Sequence, residues 1–259
     1  MPTGAITGYM DVAQLVLYAF WIFFAGLIYY LHRENKREGY PLESDRTDRT
    51  SRVQVVGFPS MPAPKTYKLP HGGEVTVPND KRDARPVKAA PVAGFPGAAL
   101  EPTGDPLADG VGPAAWAERA DRPDLTLEGE PKIVPLRVAA DHYLESRDPD
   151  PRGMRVVGAD GKVAGVIRDV WIDRSEVIIR YLEAEVGGGN AGRRVLVPMN
   201  LARIRDGAVH VKTLMAHQIA TVPGLAKPDQ VTLREEDRIC AYYAGGTLYA
   251  EPRRQEPWL

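Results

Sequence analysis

Hydrophobic and polar positions fall into three regimes along this chain. Residues 12–31, VAQLVLYAFWIFFAGLIYYL, carry no charge, and Gln14 is the one strongly polar side chain among them. As a helix rising about 1.5 Å per residue, the run spans about 30 Å, the thickness of a bilayer's hydrocarbon core. Tyr18 and Trp21 lie toward one end, and Tyr29 and Tyr30 at the other, where aromatic rings favour the membrane–water boundary. The pattern predicts a transmembrane helix over 12–31, retained in the mature protein. A cleaved signal would need a basic start and a small-residue cleavage site. Residues 1–11 have no Lys or Arg, and the run is followed by HRENKRE. A core helix of a soluble protein would show a polar face. Arg33, Lys36 and Arg37 follow the run at once, with Arg46 and Arg49 further on. Basic residues stay inside, so residues 1–11 are expected outside and the rest in the cytoplasm.

The second regime, residues 32–131, is punctuated by proline and glycine. Gly39 and Pro41 should end any continuation of the helix. Arg33, Lys36 and Arg37 are candidates for binding anionic lipid headgroups. Strand-like fragments occur at 53–56 and 74–77, with no helical period. The segment nevertheless keeps Phe58, Met61, Tyr67, Leu69, Phe95, Leu100 and Trp116. A free linker would not hold so many large apolar residues. An ordered, extended segment lying over another surface is expected.

From Lys132 the pattern becomes β. KVAGVIRDVWID, at 162–173, is long enough for one bent strand or two short ones. Asp160-Gly161 and Asp206-Gly207 are hairpin signals. VIIRYLEAEV, at 177–186, alternates Ile179, Tyr181 and Glu183 with Ile178, Arg180, Leu182, Ala184 and Val186. Further short strands are expected at 195–197, 201–204 and 209–211. Close spacing and tight turns suggest a small closed barrel. Thr232 and Glu235 form a capping-box pattern, opening a helix expected to run to about Ala244 and stop at Gly245-Gly246. Residues 132–249 are thus read as a β-barrel domain with a C-terminal helix, and 250–259 as a tail. The fold class is a single N-terminal transmembrane α-helix plus a mainly-β cytoplasmic domain.

Composition narrows the chemistry. The net charge of −1 argues against nucleic-acid binding. The single cysteine, Cys240, lies in an apolar stretch and reads as a small core residue of a protein in a reducing compartment. Neither nucleotide-binding, metalloprotease nor serine-hydrolase motifs occur, and the five histidines show no metal-ligand spacing. The most informative polar group is Asp169, Asp173, Glu176 and Arg180, in DVWIDRSEVIIR. Acids beside β-branched strands, if partly buried or near like charges, have raised pKa values and can pass protons near neutral pH. Spacing alone favours ordinary turn chemistry here, and surface exposure for Glu128 and Glu130.

Several motifs carry a family resemblance when taken in order: FWIFFAGLIYYLHRENKREGYPL, KTYKLPHGG, PTGDPLADGVGPAAW, PKIVPLRVA, GVIRDVWIDRSE and VTLREEDRICAYYAGGTLYA. Together they resemble the H subunit of the purple-bacterial photosynthetic reaction centre, from the membrane helix to about Tyr249. The resemblance implies a PRC-type β-barrel and a location in the bacterial inner membrane with a periplasmic N-terminus. It implies an accessory, non-catalytic subunit that caps the L and M subunits, shields their quinone sites and supplies part of the proton path to the secondary quinone, QB. L and M would hold bacteriochlorophyll, bacteriopheophytin, carotenoid, quinones and non-haem iron, while this chain alone binds no cofactor or metal. Light-harvesting antenna and a cytochrome subunit are further partners to test. Glu176 matches the family's acid near QB, Asp173 its neighbour on the proton route, and Arg180 and Lys132 their basic partners. Where some members carry two histidines at the surface start of this route, this chain has Glu128 and Glu130. The alternative reading is a single-pass membrane adaptor docking a different cytoplasmic partner through its barrel.

Overall fold

Asp11 caps the long helix that the apolar run predicts. In the computed structural model, which describes residues 4–43, 54–79, 81, 83–95, 97–187 and 192–255, α1 runs Val12–Glu34 and continues as a 3-10 turn, Asn35–Arg37. The Asp11 side chain accepts the Gln14 N–H at 2.8 Å, and Gln14 Oε1 accepts the Asp11 N–H at 3.4 Å. The one polar side chain of the run therefore belongs to a reciprocal cap, satisfying donors that a membrane interior would leave unpaired. No residue of α1 is buried within the chain. The stretch Val12–Arg37 is long and apolar enough to cross a membrane.

The chain divides into two compact units, one formed by 1–82 and 91–99 and the other by 83–90 and 100–259. In the first, β1 (Leu42–Glu43) pairs with β2 (Gln54–Val55), and β3 (Lys65–Lys68) pairs antiparallel with β4 (Glu74–Val77). The expected strand at 53–56 is β2, with Val53 outside the described residues. Strands β5 (Ala89–Pro91) and β6 (Leu100–Pro102) follow, then a short helix, α2 (Pro106–Asp109), capped by Asp105. Residues 100–131 of the segment expected to be extended thus fall within the larger unit.

That unit is built on one sheet: β7 (Ile133–Pro135), β8 (Arg155–Val157), β9 (Val163–Asp173), β10 (Ile178–Val186), β11 (Arg193–Pro198), β12 (Ala202–Arg205) and β13 (Ala208–Val211). Its order is β11-β10-β9-β8-β13-β12, with β7 on β9. The Asp206-Gly207 signal forms the hairpin it predicts, both residues having positive φ, 51° and 68°. The run at 162–173 is one strand, bent by register shifts against both neighbours. Ends β11 and β12 are joined by the 3-10 turn Met199–Leu201. Ile167, Trp171, Leu182, Leu196, Leu214 and Ile239 fill the interior and are fully buried.

After the short helix α3 (Ala216–Ile219), helix α4 runs Leu233–Tyr249, not to Ala244, with the expected box at Thr232 and Glu235. Gly245 and Gly246 lie inside it and are buried. A Cβ on Gly246 would stand 2.3 Å from the Thr213 carbonyl oxygen, and one on Gly245 would stand 2.5 Å from Ala114 Cβ. These glycines let the helix approach its neighbours; they do not end it. At its start, α4 is stitched to the strap that precedes the barrel. Leu233 N–H donates to the Arg122 carbonyl at 3.0 Å, Thr232 Oγ1 to Asp121 at 2.9 Å, and Ala117 N–H to Asp237 at 2.6 Å.

Candidate functional site

The site is assembled at the turn between β9 and β10. Asp173 ends β9 opposite Ile178. Its carboxylate is fully buried and organises the turn: Oδ1 accepts the N–H groups of Ser175 (2.9 Å) and Glu176 (3.0 Å), while its carbonyl accepts that of Val177 (2.8 Å). Val177 holds a φ of 54°. A β-branched residue in this left-handed region is strained by roughly 1–3 kcal/mol.

Two cations meet this turn. Arg180 is the extra residue of a β-bulge, because Ile179 pairs with Ile172 and Tyr181 with Trp171. Its guanidinium lies 3.2 Å from Asp173 Oδ2 and 2.9 Å from Glu176 Oε2. Lys132 precedes β7, the strand paired to the end of β9. Its ammonium lies 3.5 Å from Asp173, 3.6 Å from Glu176 and 3.8 Å from Asp124. Three carboxylates therefore surround one lysine. Burial pushes the Asp173 carboxyl up, but the Glu176 and Ser175 N–H groups, Lys132 and Arg180 outweigh it and hold the group below the ordinary 3.8. Burial likewise pushes Lys132 down, and its carboxylate neighbours, Asp173 foremost, more than offset this, so the net shift is upward. The turn N–H groups and the two cations thus keep Asp173 from being a raised carboxyl.

The raised acid lies elsewhere in the same cleft. Glu236, on α4, is pushed up by burial and accepts the Tyr181 hydroxyl at 2.8 Å. Cys240 Sγ lies 3.7 Å from that hydroxyl, and burial pushes its thiol up as well. These three side chains, with Asp173, Arg180 and Lys132, line a cleft of ≈ 840 Å³. Neither Asp124 nor Glu236 is legible from sequence, since the chain brings them to Lys132 and Tyr181 only through tertiary folding.

Other expected site residues are placed differently. Asp169 does not join Asp173, Glu176 and Arg180. It pairs with Glu183 across β9 and β10. Arg137 bridges the two acids at 2.9 and 2.8 Å, while Arg194 and the Trp171 indole complete the bonding of Glu183 at 2.6 and 2.8 Å. The reason is distance: four residues along a strand cover about 13 Å. Glu176 is half exposed on this chain. Glu128 and Glu130 lie exposed on a tight turn closed by Thr126 N–H to the Glu130 carbonyl at 2.8 Å. Its own backbone N–H and the Thr126 hydroxyl hold Glu128 below the usual 4.5.

Of the three headgroup candidates, Lys36 is 2 % exposed, and its ammonium donates to the carbonyls of Val56 (2.5 Å) and Pro59. Arg37 bonds Glu34 at 2.7 Å and the carbonyls of Ala63 (2.8 Å) and Val77 (3.2 Å). Both turn their donors toward carbonyls of residues 56–77. Arg33 is half-buried.

Comparison with known proteins agrees with this architecture. A family profile described as the photosynthetic reaction centre H-chain N-terminal region matches residues 4–138, and one described as the PRC-barrel domain matches 145–218. An uncharacterized protein of Deinococcus radiodurans is 31% identical over 70 residues, 27% of this chain. The chain spans only 26% of that relative's length.

Proposed function

Since the chain belongs to the photosynthetic reaction-centre H-chain family, we propose that it caps the quinone sites of the L and M subunits and conducts protons to the secondary quinone, QB. It is a single-pass membrane protein and an accessory subunit of that complex. In this reading the N-terminus is periplasmic and the barrel cytoplasmic, as the basic residues after α1 favour. The pigments, quinones and non-haem iron reside on L and M, and this chain contributes no active site of its own.

The observation that carries the proton role is the seat of Glu176. It is half exposed on one side and contacts Lys132 and Arg180 on the other, with the buried Asp173 fixing its backbone. An acid so placed accepts a proton from water and releases it toward a reduced quinone, and the two cations hold its carboxylate in position between transfers. Lys132 links it to Asp124 and Asp173 within 4 Å, so proton and charge rearrangements among the three acids are coupled. Glu128 and Glu130 are the surface acids on the neighbouring turn, and serve as the proton collectors in this scheme.

Glu176→Gln in the assembled complex tests it. The substitution removes the titratable proton and keeps most of the shape. Flash spectroscopy should show the second, proton-coupled electron transfer to QB slowed by at least about tenfold, with primary charge separation unchanged. An unaltered second transfer overturns the assignment.

A further inference from the structure

The buried ammonium of Lys36 holds a loop whose tip points outward. Its two carbonyl partners, Val56 and Pro59, flank Gly57 and Phe58. Gly57 takes φ +65°, a turn a side chain would oppose. The Tyr40 ring covers the same ammonium at 5.3 Å. A lysine with almost no exposure is costly unless its donors are used. Here they fasten one short segment.

The segment so fastened presents Phe58, which is 82 % exposed. Its ring centroid lies 5.9 Å from that of Tyr29, on α1. Tyr29 stands five residues before the end of the helix, about 7.5 Å along its axis. It also lies within the uncharged run, two residues from its last member, Leu31. Phe58 is thus level with the end of the membrane-spanning segment, where aromatic rings are favoured. A backbone at that boundary is favoured when carbonyls facing the apolar side are satisfied internally. The carbonyls of Val56 and Pro59 are both taken by Lys36, and Pro59 has no N–H to satisfy.

We infer that residues 56–59 form a second membrane anchor, with the Phe58 ring seated among lipids at the acyl–headgroup boundary beside Tyr29 and Lys36 acting as its clasp. The occupant of this surface is the bilayer, because Phe58 continues the apolar surface of α1 itself. This holds for either orientation of the helix, and whether or not the acid cluster conducts protons.

The test is spin labelling of the full chain in its native membrane complex, with Phe58→Cys in a Cys240→Ala background. Collision with molecular oxygen should be frequent and with a water-soluble nickel chelate rare. Adding Lys36→Met should raise nickel access severalfold as the loop detaches. Free access to nickel without the second substitution overturns the proposal. So does shielding from both reagents, which would assign the surface to another protein chain. An unchanged profile after Lys36→Met overturns the role of the clasp. Phe58 is largely exposed, so the labelled variant loses little packing.

Discussion

Oδ1 of Asp173 accepts the backbone N–H of Glu176 at 3.0 Å. The buried acid thereby sets where the exposed one begins, and the two cannot be varied independently. Lys132 and Arg180 contact both carboxylates. Changes at Asp173 should therefore alter stability and the position of Glu176 together.

Replacing Asp173 by Ala strands two cations and two turn N–H groups, and should cost about 2–3 kcal/mol at pH 7. Asp173→Asn keeps an acceptor for the turn and should cost less. The pH dependence follows from the lowered carboxyl. A depressed native pKa contributes stability that is fully present above the unfolded value and lost as pH falls through the native one. The gap between wild type and Asp173→Asn should hold at pH 7 and narrow as pH drops below the ordinary 3.8. Denaturant unfolding followed by circular dichroism at several pH values measures this; a constant gap would sink the account.

Val177 offers the opposite sign. Its φ of 54° suits glycine, and its side chain is exposed, so little packing is lost on removal. Val177→Gly should raise stability by roughly 0.5–1 kcal/mol, relief of strain outweighing the added freedom of the unfolded chain. A lowered melting temperature would show that the turn carries no strain.

Gly246→Ala should destabilise by about 1–3 kcal/mol, since the new methyl meets the Thr213 carbonyl. In an open helix the same change would stabilise by about 1 kcal/mol. The sign of the melting shift therefore separates close packing from helix termination.

Arg137 is the shared partner of Asp169 and Glu183, both buried. Arg137→Met should cost about 3–5 kcal/mol by leaving buried charge unpaired. Adding Asp169→Asn should recover part of the loss. Strict additivity in the double variant would show that the two residues do not couple.

The hairpin at Asp206-Gly207 was readable because its chemistry is local: two residues fix two positive φ values. The capping box of α4 was readable for the same reason. Gly245-Gly246 misleads because a glycine that ends a helix and one that admits a neighbour look alike until the neighbour is known. Among the site residues, Asp173, Glu176 and Arg180 lie on one hairpin and were visible as a group. Asp169 was grouped with them by sequence spacing, which ignores the length of a strand. Glu236 was hidden because its hydrogen-bond partner, Tyr181, lies 55 positions away. The inward roles of Lys36 and Arg37 depend on loop carbonyls at least 20 residues later. A basic residue next to a membrane helix cannot show this by its identity.

The stitching of the strap to α4 imposes an order on biosynthesis. Ala117 leaves the ribosome 120 residues before Asp237, which holds it. At usual elongation rates that is a delay of roughly 10 seconds. Asp124 and Lys132 are made before the barrel, and Glu236 after it. The cleft is therefore among the last parts of its unit to be completed. A nascent chain halted before Thr232 would contain every barrel strand and still present an unfastened strap to chaperones and proteases.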